Sequence, residues 1–186
     1  TVSGLALDAG AFGKGLALRE AASVLRSEGA TGTLNFGGQV VAVGPHPVRI
    51  DVAHPGDRDR SVAVLSLANA SAATTATSER GAHVIDPRTG RPVEPWGSVT
   101  VVAEDPLVAD ILSTALFVMG PESALEWAQD RPYGVLIQEA GAGPEPAVRW
   151  NPAMSTWLAA DGLAPAAPQD TTEIEQLKRQ VEAITR

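Results

Sequence analysis

Four β-rich runs at residues 33–36, 39–43, 48–52 and 62–67 follow one another closely, with Gly37-Gly38 and Gly44-Pro45 dividing the first three. Punctuation of this kind predicts a meander of hairpins. Upstream, Leu16, Leu18, Ala21, Ala22, Val24 and Leu25 fall near one face of a helix over 13–28, with Gly29 placed as its C-cap. Downstream, a small Thr/Ser/Ala-rich stretch at 70–78 precedes two further predicted strands, 82–85 and 98–103, around a Pro/Gly turn at 86–97. The period then changes. Asp105-Pro106 reads as an N-cap and N1 pair opening a helix to Val118, Gly120-Pro121 breaks it, a shorter helix covers 122–129, and a last strand covers 133–138.

After residue 139 the chain becomes rich in Ala, Pro and Gly, with Trp150, Met154 and Trp157 as isolated apolar anchors. Residues 140–170 therefore read as an extended strap. Residues 171–186 carry Ile174, Leu177, Val181 and Ile184 at 3-4-3 spacing behind a Thr172–Glu175 capping box, the pattern of a short amphipathic helix. Residues 1–139 form the main domain in this reading. The expected fold class is α+β, an antiparallel or mixed sheet with helices packed on one side.

Composition removes several classes of function. Of 186 residues, 44% are hydrophobic, enough for a packed core. With 14 Lys+Arg against 22 Asp+Glu the net charge is -8, the wrong sign for holding nucleic-acid phosphates, so no nucleic-acid partner is expected. The absence of cysteine excludes disulfides, thiolate metal sites and a thiol nucleophile; any metal must take O or N ligands. No run reaches the roughly 18–20 apolar residues of a membrane span, so no transmembrane segment is expected. The opening, from Thr1 to Asp8, has neither an initiator Met nor the basic-then-apolar order of an export signal. It reads as a cut, and localisation stays open.

Three segments can carry chemistry. The turn from Asp8 to Gly15 is glycine-rich and feeds directly into a helix, so backbone N–H groups, the helix dipole and Lys14 could hold a phosphate. The spacing is not that of a Walker A loop, and a tight turn that simply needs small residues gives the same pattern. In the segment 82–92, His83 stands at a strand end, where an imidazole can act as a base near neutral pH, although the Asp86-to-Gly90 run is also ordinary turn chemistry. On the second helix, Asp110 and Thr114 are spaced i, i+4 and present two hard oxygens suited to Mg²⁺. Apolar neighbours would bury that carboxylate, which then requires a partner: a cation, an Arg, or a helix N-terminus.

The stretches LDAGAFGKGLALR, LNFGGQV, HVIDPRTGRPV and VADILSTALFVMG occur in this order between residues 5 and 137. They resemble the DLGGIAKGYAVD, NLGGD, HIIDPRTGRPV and DALATALFVLG motifs of the ApbE family, the FAD:protein FMN transferases. The resemblance implies an ApbE-like two-layer domain and an enzyme that splits FAD with Mg²⁺ and attaches FMN through a phosphoester to a Thr of a target protein. Carried over by motif, Gly10, Gly13, Lys14 and Gly15, with Asp86, Pro87, Thr89 and Gly90, would bind FAD. Asp110 and Thr114 would bind Mg²⁺ together with a carbonyl from the loop 11–13, and His83 would be the base. Expected partners are the flavin-accepting protein and a second chain or cleaved N-terminal half, because the resemblance covers only the C-terminal half of the family domain. Two family aspartates are replaced, by Arg19 and Gln39, and the insert before His83 is short. The alternative reading is a noncatalytic flavin-binding or structural subunit built on the same fold.

Overall fold

The computed structural model describes residues 8–76, 84–141, 143 and 145–162. Helix α1 (Gly13–Ser27) forms where the apolar spacing predicts it and buries Gly15, Leu18 and Ala22. Its end is closed by two bonds, Gly29 N–H to Arg26 O at 3.1 Å and Ala30 N–H to Leu25 O at 2.9 Å. This is a Schellman arrangement, and the predicted C-cap glycine therefore lies one position beyond the cap, with φ +66°.

Strands β1 (Gly32–Asn35), β2 (Gln39–Val43), β3 (Val48–His54) and β4 (Asp57–Leu67) occupy the four β-rich runs. They make two separate hairpins instead of one meander. β1 pairs with β2 and β3 with β4, and β2 then pairs with β5 (Ala70–Ala76), in the small-residue stretch that carried no strand expectation. The reason is burial on both faces: Ala70 and Ala72 face the β3–β4 hairpin while Ala73 faces the helices, so the polar/apolar alternation of a half-exposed strand never arises. The two-residue strands β6 (Ile85–Asp86) and β7 (Arg91–Pro92) pair around the proline-glycine turn, and β8 (Gly97–Ala103), β9 (Gly134–Glu139) and β10 (Ala147–Trp150) complete the set.

The main sheet has six strands in the order β1-β2-β5-β8-β9-β10, and every pairing is antiparallel. Helices α1, α2 (Pro106–Met119) and α3 (Pro121–Ala128) lie on one face, as expected of the α+β reading, and the β3–β4 hairpin lies on the other. Asp105 caps α2 by accepting the Leu107 N–H at 2.8 Å. Leu116, Phe117, Val99, Val101 and Ile137 fill the helix side; Leu65, Leu67, Val102, Leu136 and Met154 fill the hairpin side.

The expected strap is corrected over residues 147–162. β10 extends the sheet, and a short 3-10 turn (Pro152–Thr156) buries Met154 while Trp150 and Trp157 pack on the hairpin-side core. The apolar anchors are therefore cores of local structure. Asn151 fixes the turn: its Oδ1 accepts the Val135 N–H at 2.9 Å, and its Nδ2 donates to Ala128 O and Tyr133 O at 2.8 and 2.9 Å. The amphipathic helix expected at 171–186 lies outside the described residues. Among the described residues no helix is long and apolar enough to cross a membrane.

Candidate functional site

The first turn of α1 rests directly on the first turns of α2. A Cβ at Gly15 would stand 2.6 Å from Pro106 O, 2.7 Å from Asp110 Cβ and 2.8 Å from Leu107 Cα, so only glycine permits this approach. Asp110 is 1% exposed and sits at the positive end of α1. Its Oδ2 accepts the Gly15 N–H at 2.8 Å and its Oδ1 accepts the Lys14 ammonium at 2.7 Å. The buried carboxylate thus has both partners that burial demands, a helix N-terminus and a cation, with lysine in place of arginine.

Gly15 is the third residue of α1, so its N–H has no carbonyl of its own helix to bond, and Asp110 serves it as an N-cap side chain would where Phe12 offers none. Ala9 O takes Phe12 and Gly13 N–H, and Phe12 O takes Leu16 N–H, but no backbone N–H among the described residues donates to Ala11 O. An open carbonyl in the loop 11–13 therefore lies in the turn that leads to Asp110's two partners. Gly10 and Gly13 serve this turn sterically: a Cβ at Gly10 would stand 2.7 Å from Asp8 Oδ1, which accepts the Gly10 N–H at 2.6 Å, and a Cβ at Gly13 would stand 3.2 Å from Ala9 Cβ.

Thr114 lies one turn beyond Asp110, and its hydroxyl points at the Asp110 backbone carbonyl (3.4 Å) and at Thr75 on β5 (3.5 Å). Ser113 donates to the same carbonyl at 2.9 Å and is 2.9 Å from the Thr75 hydroxyl. Thr75 and Ser113 carried no expectation from sequence; Thr75 belongs to the strand that escaped the pattern. A second group lies beside the α2 start, at one of the replaced family aspartates. Gln39 is fully buried, and its Nε2 donates to Pro106 O at 2.7 Å and to Ser71 Oγ at 3.1 Å, while its Oε1 has no partner. Arg19 Nη1 reaches 3.8 Å from Asp105, the α2 cap.

The structure does not bring Asp86, Pro87, Thr89 and Gly90 to Asp110. Gly90 takes φ +68°, and its N–H donates to Asp86 O at 2.8 Å. Asp86 accepts the Arg88 N–H at 2.9 Å and the Arg88 guanidinium at 3.0 Å, and these bonds hold its carboxyl below the usual range. Arg88 also touches Val118 O at 3.5 Å, eight residues after Asp110. At 1.5 Å per residue the turn lies about 12 Å along α2 from the carboxylate. Only an extended ligand could touch both ends. His83 lies outside the described residues.

An α+β domain whose all-antiparallel sheet lies between helices on one face and a hairpin on the other, a third layer beyond the two expected, with a glycine-loop helix start seated on a buried aspartate and a DPRTG turn beside the same helix, defines the flavin-transferase type of fold. The chain belongs to the ApbE family, whose sequence pattern it matches over residues 1–137. It is 30% identical over 169 residues to an FAD:protein FMN transferase of Klebsiella pneumoniae (strain 342), covering 83% of this chain and 46% of that protein. It is 34% identical over 137 residues to the enzyme of the same description in Escherichia coli (strain K12), covering 66% and 39%. Among solved structures, the ApbE protein from Thermotoga maritima superposes with a TM-score of 0.75 at 30% identity, covering 84% of this chain and 55% of that one. The flavin transferase ApbE from Vibrio cholerae superposes at 0.70 with 26% identity, covering 83% and 53%. The chain spans about half the length of the relatives it matches.

Proposed function

We propose that this chain carries the metal- and phosphate-side half of a Mg²⁺-dependent FAD:protein FMN transferase. The observation that carries the reading is the junction of α1 and α2, where the buried Asp110 carboxylate meets the Lys14 ammonium and the Gly15 N–H, and the preceding turn leaves the Ala11 carbonyl without a backbone donor among the described residues. Its donor set fits the ion. Among the described residues no three His, Asp or Glu side chains converge, so a divalent cation would be held by one carboxylate and neutral oxygens, with a phosphate completing the shell. Asp110, Thr114 and the Ala11 carbonyl would hold Mg²⁺, which when bound supplies charge neutralisation on the diphosphate.

The remaining work falls to the chain itself. In the transfer, the acceptor Thr oxygen bonds to the FMN phosphorus, the bridging P–O bond breaks, AMP leaves, and the Thr proton passes to a base, for which His83 is the candidate. Lys14 and the glycine turn would orient the diphosphate; the DPRTG turn, two helical turns away, would touch the far part of so long a substrate.

The test joins calorimetry with mass spectrometry of a Thr-bearing acceptor peptide. Asp110→Asn is expected to abolish Mg²⁺ binding in the presence of FAD while the fold persists, and His83→Ala to bind FAD yet leave the peptide unmodified. Unchanged Mg²⁺ affinity in Asp110→Asn would remove the metal assignment. Flavin binding by the parent chain without any peptide modification, in the presence of Mg²⁺, would favour the noncatalytic flavin-binding subunit.

A further inference from the structure

Lys14 and Asp110 carry expectations that conflict. One is read as an ammonium for phosphate and the other as a carboxylate for a divalent cation, yet in the fold each is the other's partner at 2.7 Å. We propose that Lys14 is a resident counter-cation at Asp110, and that a divalent cation binds there by exchange, displacing the ammonium toward the phosphate it neutralises. This inference rests on the reading of Asp110 as a Mg²⁺ ligand and adds the order and coupling of the binding events.

The two oxygens of Asp110 are held in unequal ways. Oδ2 is fixed by a backbone N–H inside a buried contact, which cannot be released without opening the first turn of α1. Oδ1 is held by a group on a flexible four-carbon stem whose side chain is 32% exposed. Only the second contact can be exchanged while the fold stands. A cation bound to Oδ1 at the roughly 2.0–2.1 Å of Mg²⁺ coordination would lie in the direction the ammonium now occupies, and two positive charges do not share one oxygen there.

A buried carboxylate left without a partner is costly, so the free protein needs some cation at Asp110. Lysine fills that need when metal is absent. After exchange, the junction holds a divalent charge, one carboxylate and a released ammonium, a net charge of +2 where the pair was neutral. That charge suits a diphosphate. The open Ala11 carbonyl, one turn before Gly15, offers the incoming cation a neutral oxygen that no hydrogen bond has to be broken to use.

Exchange makes two opposed predictions for a chain lacking the ammonium. Without its competitor, Mg²⁺ alone should bind more tightly. Without the released charge, diphosphate should strengthen Mg²⁺ binding less, because the coupling between the two ligands is reciprocal and Lys14 carries part of it. A lysine that merely supported the metal or the phosphate would weaken both.

The experiment titrates Mg²⁺ by calorimetry, with and without inorganic pyrophosphate, into the parent chain, Lys14→Met, Lys14→Gln and Asp110→Asn. Melting temperature is followed in parallel. Lys14→Met is expected to bind Mg²⁺ alone at least tenfold more tightly, to show a larger Mg²⁺-induced rise in melting temperature, and to lose most of the pyrophosphate enhancement. Lys14→Gln, which keeps a neutral donor for Asp110, serves if the Met variant does not fold, and the same shifts are expected of it. Equal or weaker Mg²⁺ affinity in the foldable lysine variants, with binding lost in Asp110→Asn, would overturn exchange and leave the metal reading standing. Binding absent from every protein, or unaffected by Asp110→Asn, would overturn both.

Discussion

At the scale of single residues, Gln39 shows how a family position can be re-used. Where the related motif has an aspartate, this chain has an amide that donates to the carbonyl of Pro106 and to Ser71 from a site closed to water. An aspartate in this setting could donate to neither and would place a buried negative charge against a carbonyl oxygen. Gln39→Asp is therefore expected to destabilise the chain by about 3–5 kcal/mol, the range for an uncompensated buried charge. Urea unfolding checks this; a loss under about 1 kcal/mol would mean the amide bonds carry little. Residues such as Lys14 and Asp110 were legible in the sequence because their chemistry and motif context mark them. Their pairing was not, since 96 positions separate them and only the α1–α2 contact joins them.

Among the elements, those with a strong period or a punctuated end could be read: α1 with its glycine stop, α2 with its Asp-Pro start, and the strands beside paired glycines. β5 and β10 could not. The first is small on both faces, and the second sits in a Pro/Gly-rich stretch whose order comes from Asn151 and from tryptophans packing on distant strands. Asn151→Ala removes the acceptor of the buried Val135 N–H and the donor to Tyr133 O, and leaves Ala128 O with the Arg131 N–H alone, so it is expected to cost about 2–4 kcal/mol from three lost bonds at 0.5–1.5 kcal/mol each with added desolvation. The loss should fall on β10 and the 3-10 turn first. Hydrogen exchange that accelerates there before it does in β5 and β8 is the expected result; uniform acceleration would mean that the whole sheet unfolds as one unit.

For the whole molecule, charge sets the acid limit. Arg88 holds the Asp86 carboxyl down, Arg149 does the same to Glu122, and Arg49 to Asp161, chiefly through side-chain hydrogen bonds. A carboxylate whose folded pKa lies below its unfolded value contributes stability that is complete above the unfolded pKa, about 4, and is lost as pH falls through the folded one. The melting temperature should therefore be level with respect to these groups from pH 7 to about 5 and fall below about 4.5. These pairs are exposed, so salt should flatten the slope. Arg149→Met, which removes the bridge from β10 to Glu122 and Glu139, should make that fall shallower in calorimetric scans. An unchanged slope would show that other acids govern it.

The bond from the Gly15 N–H to Asp110 spans 95 positions, and it does what an N-cap side chain does in an ordinary helix. The start of α1 is thus not closed by α1. Its amide proton is shielded from solvent only while α2 lies against it, whereas amides deeper in the helix are shielded by their own turn. The rate at which that single proton trades with deuterium is a clock for the seating of one helix on the other, read at the point where the carboxylate is held.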